Sequence, residues 1–132
     1  MNRVVIGVGS NIDKYHNVEK ARKIISEKFK LIRSSQFKET KPIGPITQED
    51  FLNGAWLIET DVDQKQLKQE LHRIEDLLLR DRNSPKQGPR TIDLDLVVWN
   101  GEIVDSDYFE RDYLKQCVDE LLNPHPPSPS PF

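Results

Sequence analysis

The strongest strand pattern in the chain lies in the segment GPRTIDLDLVVW, residues 88–99. Apolar and polar side chains alternate along it from residue 91, which is the pattern of a β-strand with one buried face. The positions predicted to be buried are Ile92, Leu94, Leu96 and Val98. Asp93 and Asp95 share the opposite face, about 6.6 Å apart at the usual rise of a strand. The sequence therefore predicts a strand over 91–99 that presents two carboxylates.

The same two periodicities, read outward from this strand, predict the other elements. Strands are predicted at 4–9, 31–40 and 51–60, and helices at 13–29, after Asp63 and at 108–122. Asp63 followed by Gln66 resembles a capping box. The helix that follows carries its apolar residues on one face, at Leu67, Leu71, Ile74 and Leu78. The segment 41–50 is predicted to be a loop because it contains two prolines and a glycine.

This order of elements predicts an α+β sandwich of the ferredoxin-like type. Its antiparallel sheet would carry helices on one face and leave the other face open, and an open sheet face is a natural place for a site. One domain is predicted over 1–123. Residues 124–132 hold five of the nine prolines of the chain, so we expect an extended tail there.

The composition narrows the class of protein. A chain of 132 residues and 15.4 kDa allows one domain. The net charge of −3 argues against a polyanion binder, and the single cysteine, Cys117, excludes an internal disulfide framework and a multi-cysteine zinc site. No apolar run approaches about 20 residues, and the N-terminus lacks a secretion pattern. We therefore expect a soluble, cytoplasmic protein that binds neither membrane nor nucleic acid, with a monomer as the expected state.

The paired acids at 93 and 95 are the first candidate site. Two carboxylates on one face repel each other, and a divalent cation removes that repulsion. Magnesium prefers oxygen ligands and often needs only one or two carboxylates together with phosphate oxygens. From spacing alone, a solvated strand face with alternating acids explains Asp93 and Asp95 equally well. Arg90 beside them favours the functional interpretation, because carboxylates with an arginine suit a metal–polyphosphate site.

A basic segment, residues 80–90, directly precedes the acidic pair. Its four cationic side chains and one acidic side chain give it a charge of +3 within a protein of −3. Arginine pairs bidentately with phosphate oxygens, although most basic loops are simply solvated. A nucleic acid could use such a patch, but the segment has little aromatic interleaving and is weak support for that.

Two further polar residues have both a structural and a functional interpretation. Asn53 is predicted to share a strand face with Phe51 and Ala55, so a buried amide there either pairs with backbone or reads a polar ligand. Glu75 borders the buried stripe of the second helix, and without context it is a surface glutamate. The three histidines have no metal-like spacing, and no Ser-His-Asp, Cys-His or Walker-type pattern is present.

Taken together, these pieces resemble the 6-hydroxymethyl-7,8-dihydropterin pyrophosphokinase family of folate biosynthesis. The resembling segments are Gly9-Ser10-Asn11, Ser34-Ser35-Gln36-Phe37 with Thr40, Pro42-Ile43-Gly44-Pro45, Phe51-Leu52-Asn53, Arg73-Ile74-Glu75, Arg80 with Arg82, and residues 88–96. The last segment is the most specific. The resemblance covers roughly residues 3–104, and its unbroken order argues against a chance match.

The resemblance implies a ferredoxin-like fold and transfer of pyrophosphate from ATP to the pterin hydroxymethyl group, with release of AMP. It implies that Asp93 and Asp95 hold two magnesium ions that bridge the ATP phosphates. Arg80 and Arg90 would stabilise charge on the transferred group. The positions implied to contact ATP are Glu75, Arg80, Arg82, Arg90, Leu96 and Arg111. The positions implied to frame the pterin are Thr40, Pro42, Ile43, Asn53 and Tyr113.

The chain also departs from the family pattern. Leu79 stands where the family usually has a glycine, and Gln87 replaces a loop aromatic. The Pro-His-Pro loop expected about twenty residues after the aspartates is missing, and we assign His125 to the tail. We align residues 111–124 with the closing helix of the family. In this alignment, Arg111 takes the position of an ATP-contacting arginine, and Tyr113 takes the position of an aromatic that stacks on the pterin.

Three functions stay open at this stage. The first is the pterin pyrophosphokinase. The second is a divergent relative that keeps metal and ATP binding but acts on another heterocyclic alcohol. The third is a non-catalytic ferredoxin-like binding module, against which the retained Arg90, Asp93 and Asp95 argue.

Overall fold

The computed structural model describes residues 1–80 and 88–123 of the chain. Its elements are β1 (Asn2–Ser10), α1 (Lys14–Lys28), β2 (Lys30–Ser34), β3 (Lys38–Thr40), β4 (Phe51–Thr60), α2 (Gln64–Leu77), β5 (Asp93–Trp99), β6 (Glu102–Ile103), α3 (Asp107–Glu110) and α4 (Asp112–Leu122). The tail predicted at 124–132 lies outside the described residues. No helix among the described residues is long and apolar enough to cross a membrane.

The described strands form one antiparallel sheet in the order β2-β4-β1-β5-β6, with β3 pairing β4 beside β2. The α+β, ferredoxin-like class is therefore confirmed. The strand predicted at 31–40 is two strands, and the helix predicted at 108–122 is two helices. The capping residue was predicted correctly, because the Asp63 side chain accepts a hydrogen bond from the Gln66 N–H at the start of α2.

Helices α1 and α2 cover the first face of the sheet. The larger core lies between them and the sheet and includes Val4, Ile6, Trp56, Ile58, Leu67, Leu71, Ile74, Ile92, Leu94 and Leu96. All of these side chains are at most 7% exposed. The apolar stripe of α2 is among them, so its helical spacing predicted the buried face correctly.

Helix α4 covers part of the second face, which corrects the prediction that helices lie on one face only. Its buried residues Cys117, Val118 and Leu121 pack against Val5, Ala55, Leu57 and Val97. The physical reason lies in β1 and β4, whose middle residues are apolar on both sides and therefore need a cover on both faces. The part of this face that carries Asp93 and Asp95 opens into a cavity.

A β-bulge in β5 changes the predicted alternation. Ile6 lies opposite Leu96 and Val5 lies opposite Val98, so Val97 is an extra residue with no partner in the register. Val98 consequently belongs to the second-face core. The prediction that it shares the buried face of Leu96 was wrong. The bulge lies after both aspartates, so it leaves their shared face intact.

The interruption between β2 and β3 falls at the polar run that follows Ser34. Here the buried Ser35 donates its N–H to Ala55 O at 2.9 Å, and its hydroxyl accepts the Ala55 N–H at 2.9 Å. A serine side chain therefore satisfies a ladder donor of β4 that a neighbouring strand would normally satisfy.

Candidate active site

A cavity of about 230 Å³ opens on the second face of the sheet beside α4. Its lining includes Gly7, Gly9, Thr40, Lys41, Ile43, Phe51, Asn53, Arg90, Asp93, Asp95, Asp107, Arg111, Tyr113 and Leu114. Eight of the predicted site residues thus border one space: Arg90, Asp93, Asp95, Thr40, Ile43, Asn53, Arg111 and Tyr113. Charged and neutral polar groups converge there, which is the usual character of a ligand site.

Two glycines of β1 form the floor of the cavity. Gly9 pairs with Asn53 on one side and Asp93 on the other, and Gly7 pairs with Ala55 and Asp95. A Cβ on Gly9 would lie 2.7 Å from Asn53 Oδ1, which is too close for any side chain. A Cβ on Gly7 would meet Val97 at 3.2 Å and Leu114 at 3.4 Å. The missing side chains therefore create the space between the amide and the two acids.

Asp93 and Asp95 lie on this face as the alternation predicted, since both pair with glycines of β1 that line the cavity. Desolvation of the carboxyl by the surrounding protein, together with the charges of Asp93 and Asp105, raises the pKa of Asp95 to about 8, although the residue keeps exposed surface. Loss of hydration and like charge both oppose ionisation. The pair is therefore electrostatically costly without a cation.

Glu75 and Arg80 support the acidic pair from the end of α2. Arg80 Nη1 donates to Glu75 Oε2 at 2.6 Å and to Asp93 Oδ1 at 3.0 Å. The same Glu75 oxygen accepts the Leu94 backbone N–H at 2.8 Å, and the residue is only 2% exposed. Glu75 thus joins the end of α2 to β5 and holds Arg80 against Asp93. It does not line the cavity.

The turn that aims Arg80 at Asp93 is a Schellman motif with an unusual residue. The Arg80 N–H returns to Glu75 O at 3.1 Å, and the Leu79 N–H returns to Asp76 O at 3.0 Å. Leu79 has a φ of 62°, in the left-handed region that favours glycine. The leucine noted as a departure from the family therefore occupies a backbone conformation in which glycine costs less.

Arg90 is 8% exposed and is held from both sides of its backbone by Asn11. The Arg90 N–H donates to Asn11 Oδ1 at 2.8 Å, and the Asn11 N–H donates to Arg90 O at 3.0 Å. Arg90 Nη1 donates to the Gly88 and Pro89 carbonyls at 3.1 and 3.2 Å. Asn11 was not predicted as a site residue, although it lies at a strand end and in one of the segments that resemble the family.

The opposite wall of the cavity is built from neutral groups. Asn53 Nδ2 donates to Thr40 Oγ1, and the Tyr113 hydroxyl donates to Asn53 O. The Lys38 N–H donates to the same hydroxyl at 3.3 Å. Burial raises the pKa of Tyr113 far above its usual value, so the hydroxyl stays protonated. The polar groups of this wall therefore hydrogen-bond to one another.

The structure does not bring every predicted residue to the cavity. Leu96 is 7% exposed and lies in the first-face core, on the other side of the sheet. Pro42 does not line the cavity either, although its neighbours Lys41 and Ile43 do. Arg82 and Gln87 lie outside the described residues. Lys41 and Asp107 are lining residues that sequence reasoning missed, and Asp107 Oδ2 lies 3.8 Å from Arg111 Nε.

A family model described as 7,8-dihydro-6-hydroxymethylpterin-pyrophosphokinase matches residues 5–126. The chain is 35% identical over 106 residues to "2-amino-4-hydroxy-6-hydroxymethyldihydropteridine pyrophosphokinase" of Haemophilus influenzae, covering 77% of this chain and 65% of that protein. It is 30% identical over 134 residues to "Bifunctional protein FolKE" of Lactococcus lactis subsp. cremoris, covering 93% and 38%. It is 31% identical over 106 residues to "Folate synthesis bifunctional protein" of Arabidopsis thaliana, covering 79% and 22%. The chain thus spans about two thirds or less of the length of these relatives.

Proposed function

Since this chain belongs to the 7,8-dihydro-6-hydroxymethylpterin-pyrophosphokinase family, we propose that it transfers pyrophosphate from ATP to the hydroxymethyl group of 6-hydroxymethyl-7,8-dihydropterin. The hydroxyl oxygen forms a bond to the β-phosphorus of ATP. The bond from that phosphorus to the oxygen of the α-phosphate breaks, and AMP leaves. The product would enter folate biosynthesis, and we predict that the reaction takes place in the cytoplasm.

The observation that carries this proposal is the juxtaposition of two different walls in one cavity. Asp93, Asp95 and Arg90 provide charge on one wall, while Asn53 and Thr40 provide neutral hydrogen-bonding groups on the other. The two walls are separated by the floor strand β1, so the charged and neutral groups stand about 10 Å apart at normal strand spacing. This arrangement suits a substrate pair made of a charged polyphosphate and a flat, neutral heterocycle.

The acidic wall fits magnesium. Asp93 and Asp95 are hard oxygen donors on one face, and no group of three His, Cys, Asp or Glu side chains suited to a metal occurs within residues 1–80 and 88–123. A two-carboxylate site matches an ion that completes its shell with phosphate oxygens and water. We propose that Asp93 and Asp95 hold two ions with ATP. Bound magnesium would neutralise phosphate charge and set the reacting groups in line.

The arginines would act on the phosphate oxygens. Arg80 lies against Asp93, and its buried Nε has no hydrogen-bond partner among the described residues. Arg90 borders the cavity with its backbone fixed on both sides by Asn11. Guanidinium groups held in this way stabilise charge that develops on the transferred group without reorganising. Arg111 reaches the cavity from the start of α4, and we propose that it contacts ATP together with Arg82.

The neutral wall would bind the pterin. An amide both donates and accepts, which suits the mixed hydrogen-bonding edge of a pterin. Asn53 has its Nδ2 engaged by Thr40 and its Oδ1 beside Gly9, so the amide has one orientation in the cavity. Ile43, at the cavity mouth and 53% exposed, offers apolar surface for a ring face.

One coupled assay tests the proposal. AMP formation from ATP and magnesium is followed with and without 6-hydroxymethyl-7,8-dihydropterin, and we expect AMP only when the pterin is present. AMP formation that is unchanged by the pterin, or no AMP with either mixture, would contradict it. AMP formation only with another heterocyclic alcohol would favour the divergent relative described above.

A further inference from the structure

Helix α4 satisfies the backbone at the gap between β2 and β3. The gap leaves residues 35–37 without a regular strand partner on β4. Glu120 Oε2 accepts the Gln36 N–H at 3.3 Å, and the Cys117 thiol lies 3.9 Å from Gln36 O. One turn earlier in α4, Tyr113 contacts the first residue of β3. The side chains of one helix face therefore replace the missing strand contacts.

The Tyr113 hydroxyl stands between two residues that face each other across the β3–β4 pair. Lys38 and Asn53 are register partners in that pair. The Lys38 N–H donates to the hydroxyl at 3.3 Å, and the hydroxyl donates to Asn53 O. The tyrosine hydroxyl therefore contacts both strands of the pair at one register position.

The same contact controls the side chain of Asn53. Its Nδ2 donates to the hydroxyl of Thr40, which lies two residues after Lys38 on the same short strand. Tyr113, Lys38, Thr40 and Asn53 consequently form a closed ring of contacts. A ring of this kind fixes both the backbone and the amide of Asn53, and β3 has only three residues to hold it otherwise.

We propose that Tyr113 is a positioning residue whose hydroxyl sets the Asn53 amide for the heterocycle. The proposal rests on the proposed function for its ligand. It differs from the role that the resemblance implies for this position, which is stacking of the ring on the pterin. The two roles are separable, because Tyr113→Phe keeps the ring and removes the hydroxyl.

The test uses the full chain and measures pterin binding by fluorescence titration in the presence of a non-hydrolysable ATP analogue and magnesium. Tyr113→Phe should weaken pterin binding about 5-fold, the scale of one lost neutral hydrogen bond. Binding of the ATP analogue should change less than about 2-fold, since the hydroxyl faces the neutral wall. Tyr108→Phe is the matched control, because its hydroxyl bonds Asp119 at 2.7 Å in the same helical layer but away from the cavity.

A double-mutant cycle separates positioning from general stability. If the hydroxyl acts through the amide, Asn53→Ala with Tyr113→Phe should bind pterin as weakly as Asn53→Ala alone. Additive losses, or a Tyr113→Phe variant that binds pterin like the wild type, would overturn the proposal. A loss of equal size in Tyr108→Phe would also overturn it.

Hydrogen exchange supplies a readout that does not depend on the pterin. The amide of Lys38 should exchange faster in Tyr113→Phe and at the wild-type rate in Tyr108→Phe. Unchanged exchange at Lys38 would contradict the hydrogen bond between its N–H and the Tyr113 hydroxyl. If the wild type binds no pterin while Lys38 responds as expected, the proposed function fails and the structural bridge stands.

Discussion

The two walls of the cavity are stabilised in opposite ways. The acidic wall, made of Asp93 and Asp95 and supported from behind by the Arg80–Glu75 pair, concentrates charge. The pKa of Asp95 is raised because its carboxyl is desolvated and lies near other acids. The neutral wall, made of Thr40, Asn53 and Tyr113, pairs its polar groups internally. The acidic wall is therefore incomplete without cations and phosphate, while the neutral wall is preorganised before any ligand binds.

The largest expected effect comes from removing an acid. Asp93→Ala and Asp95→Ala should each lower pyrophosphoryl transfer by about 10³-fold or more, because the phosphates lose their metal. Neither variant should unfold, since each change relieves repulsion within the acidic pair, although Asp93→Ala also removes a hydrogen bond from Arg80. AMP formation at saturating magnesium measures the first effect and thermal melting the second. Asp61→Ala, at an exposed turn, is the control. Near-wild-type turnover in both variants would rule out the metal assignment.

The next effect comes from the arginines of the charged wall. Arg80→Ala and Arg90→Ala should lower kcat by about 10²-fold with little change in ATP affinity, because charge develops mainly in the transition state. Arg82→Ala should change ground-state ATP binding even less than Arg80→Ala and Arg90→Ala do. Single-turnover rates and nucleotide titrations separate the two parameters. Weakened ATP binding with unchanged kcat would assign Arg80 and Arg90 to binding alone.

A change in the floor between the walls should act on the neutral wall first. Gly9→Ala places a Cβ 2.7 Å from Asn53 Oδ1, so the amide must move. We expect pterin affinity to fall about 10-fold, the scale of a lost polar contact with added steric strain. Gly7→Ala, where the nearest contact is 3.2 Å to a valine methyl, should weaken pterin binding less. Equal losses of pterin affinity in Gly9→Ala and Gly7→Ala would contradict a specific effect of Gly9 on the Asn53 amide.

The strained turn beneath the acidic wall offers a smaller effect on stability. Leu79→Gly should raise the free energy of unfolding by about 1 kcal/mol, because glycine adopts a positive φ without the steric cost of a Cβ. Leu79 is 83% exposed, so little packing is lost. Urea denaturation measures the change. Leu77→Gly, at an exposed residue with helical backbone at the end of α2, should be destabilising instead.

The smallest effect is the pH dependence of the metal-free protein. The pKa of Asp95 is about 8 in the folded chain and lower when unfolded, so folding takes up a proton between these values. Its contribution to stability is therefore fully present below the unfolded pKa and is lost as pH rises through about 8. The metal-free wild type should lose stability relative to Asp95→Asn from pH 5 to pH 9. A parallel pH dependence in the two proteins would contradict the raised pKa.

The acidic wall was readable from the sequence because its parts are close in the chain. Asp93 and Asp95 follow a period of two, and Arg90 directly precedes them. The stripe of α2 and its cap at Asp63 were equally local. The role of Glu75 was not readable, since only tertiary contact shows that its carboxylate joins α2 to β5.

Apart from Asn53, which its strand position already singled out, the neutral wall was predicted only through the resemblance. Thr40, Asn53 and Tyr113 come from three elements separated by up to 73 positions, and no periodicity relates them. Tyr113 was expected to stack on a ring, and the contacts of its hydroxyl with Lys38 and Asn53 had no sequence signal at all. The roles of individual site residues, including Pro42, Ile43 and Arg111, stay predictions until the variants are measured.

Spacing along a few neighbouring residues predicted most of the elements, their class and the face on which the aspartates lie. Only the three-dimensional structure shows that α4 covers part of the second face, that a bulge turns Val98 to that face, and that the Tyr113 hydroxyl contacts both strands of the β3–β4 pair. These features arise where apolar area and unpaired backbone groups from distant segments must be satisfied together. Several distant segments must satisfy these requirements together, so no single local stretch of sequence predicts them.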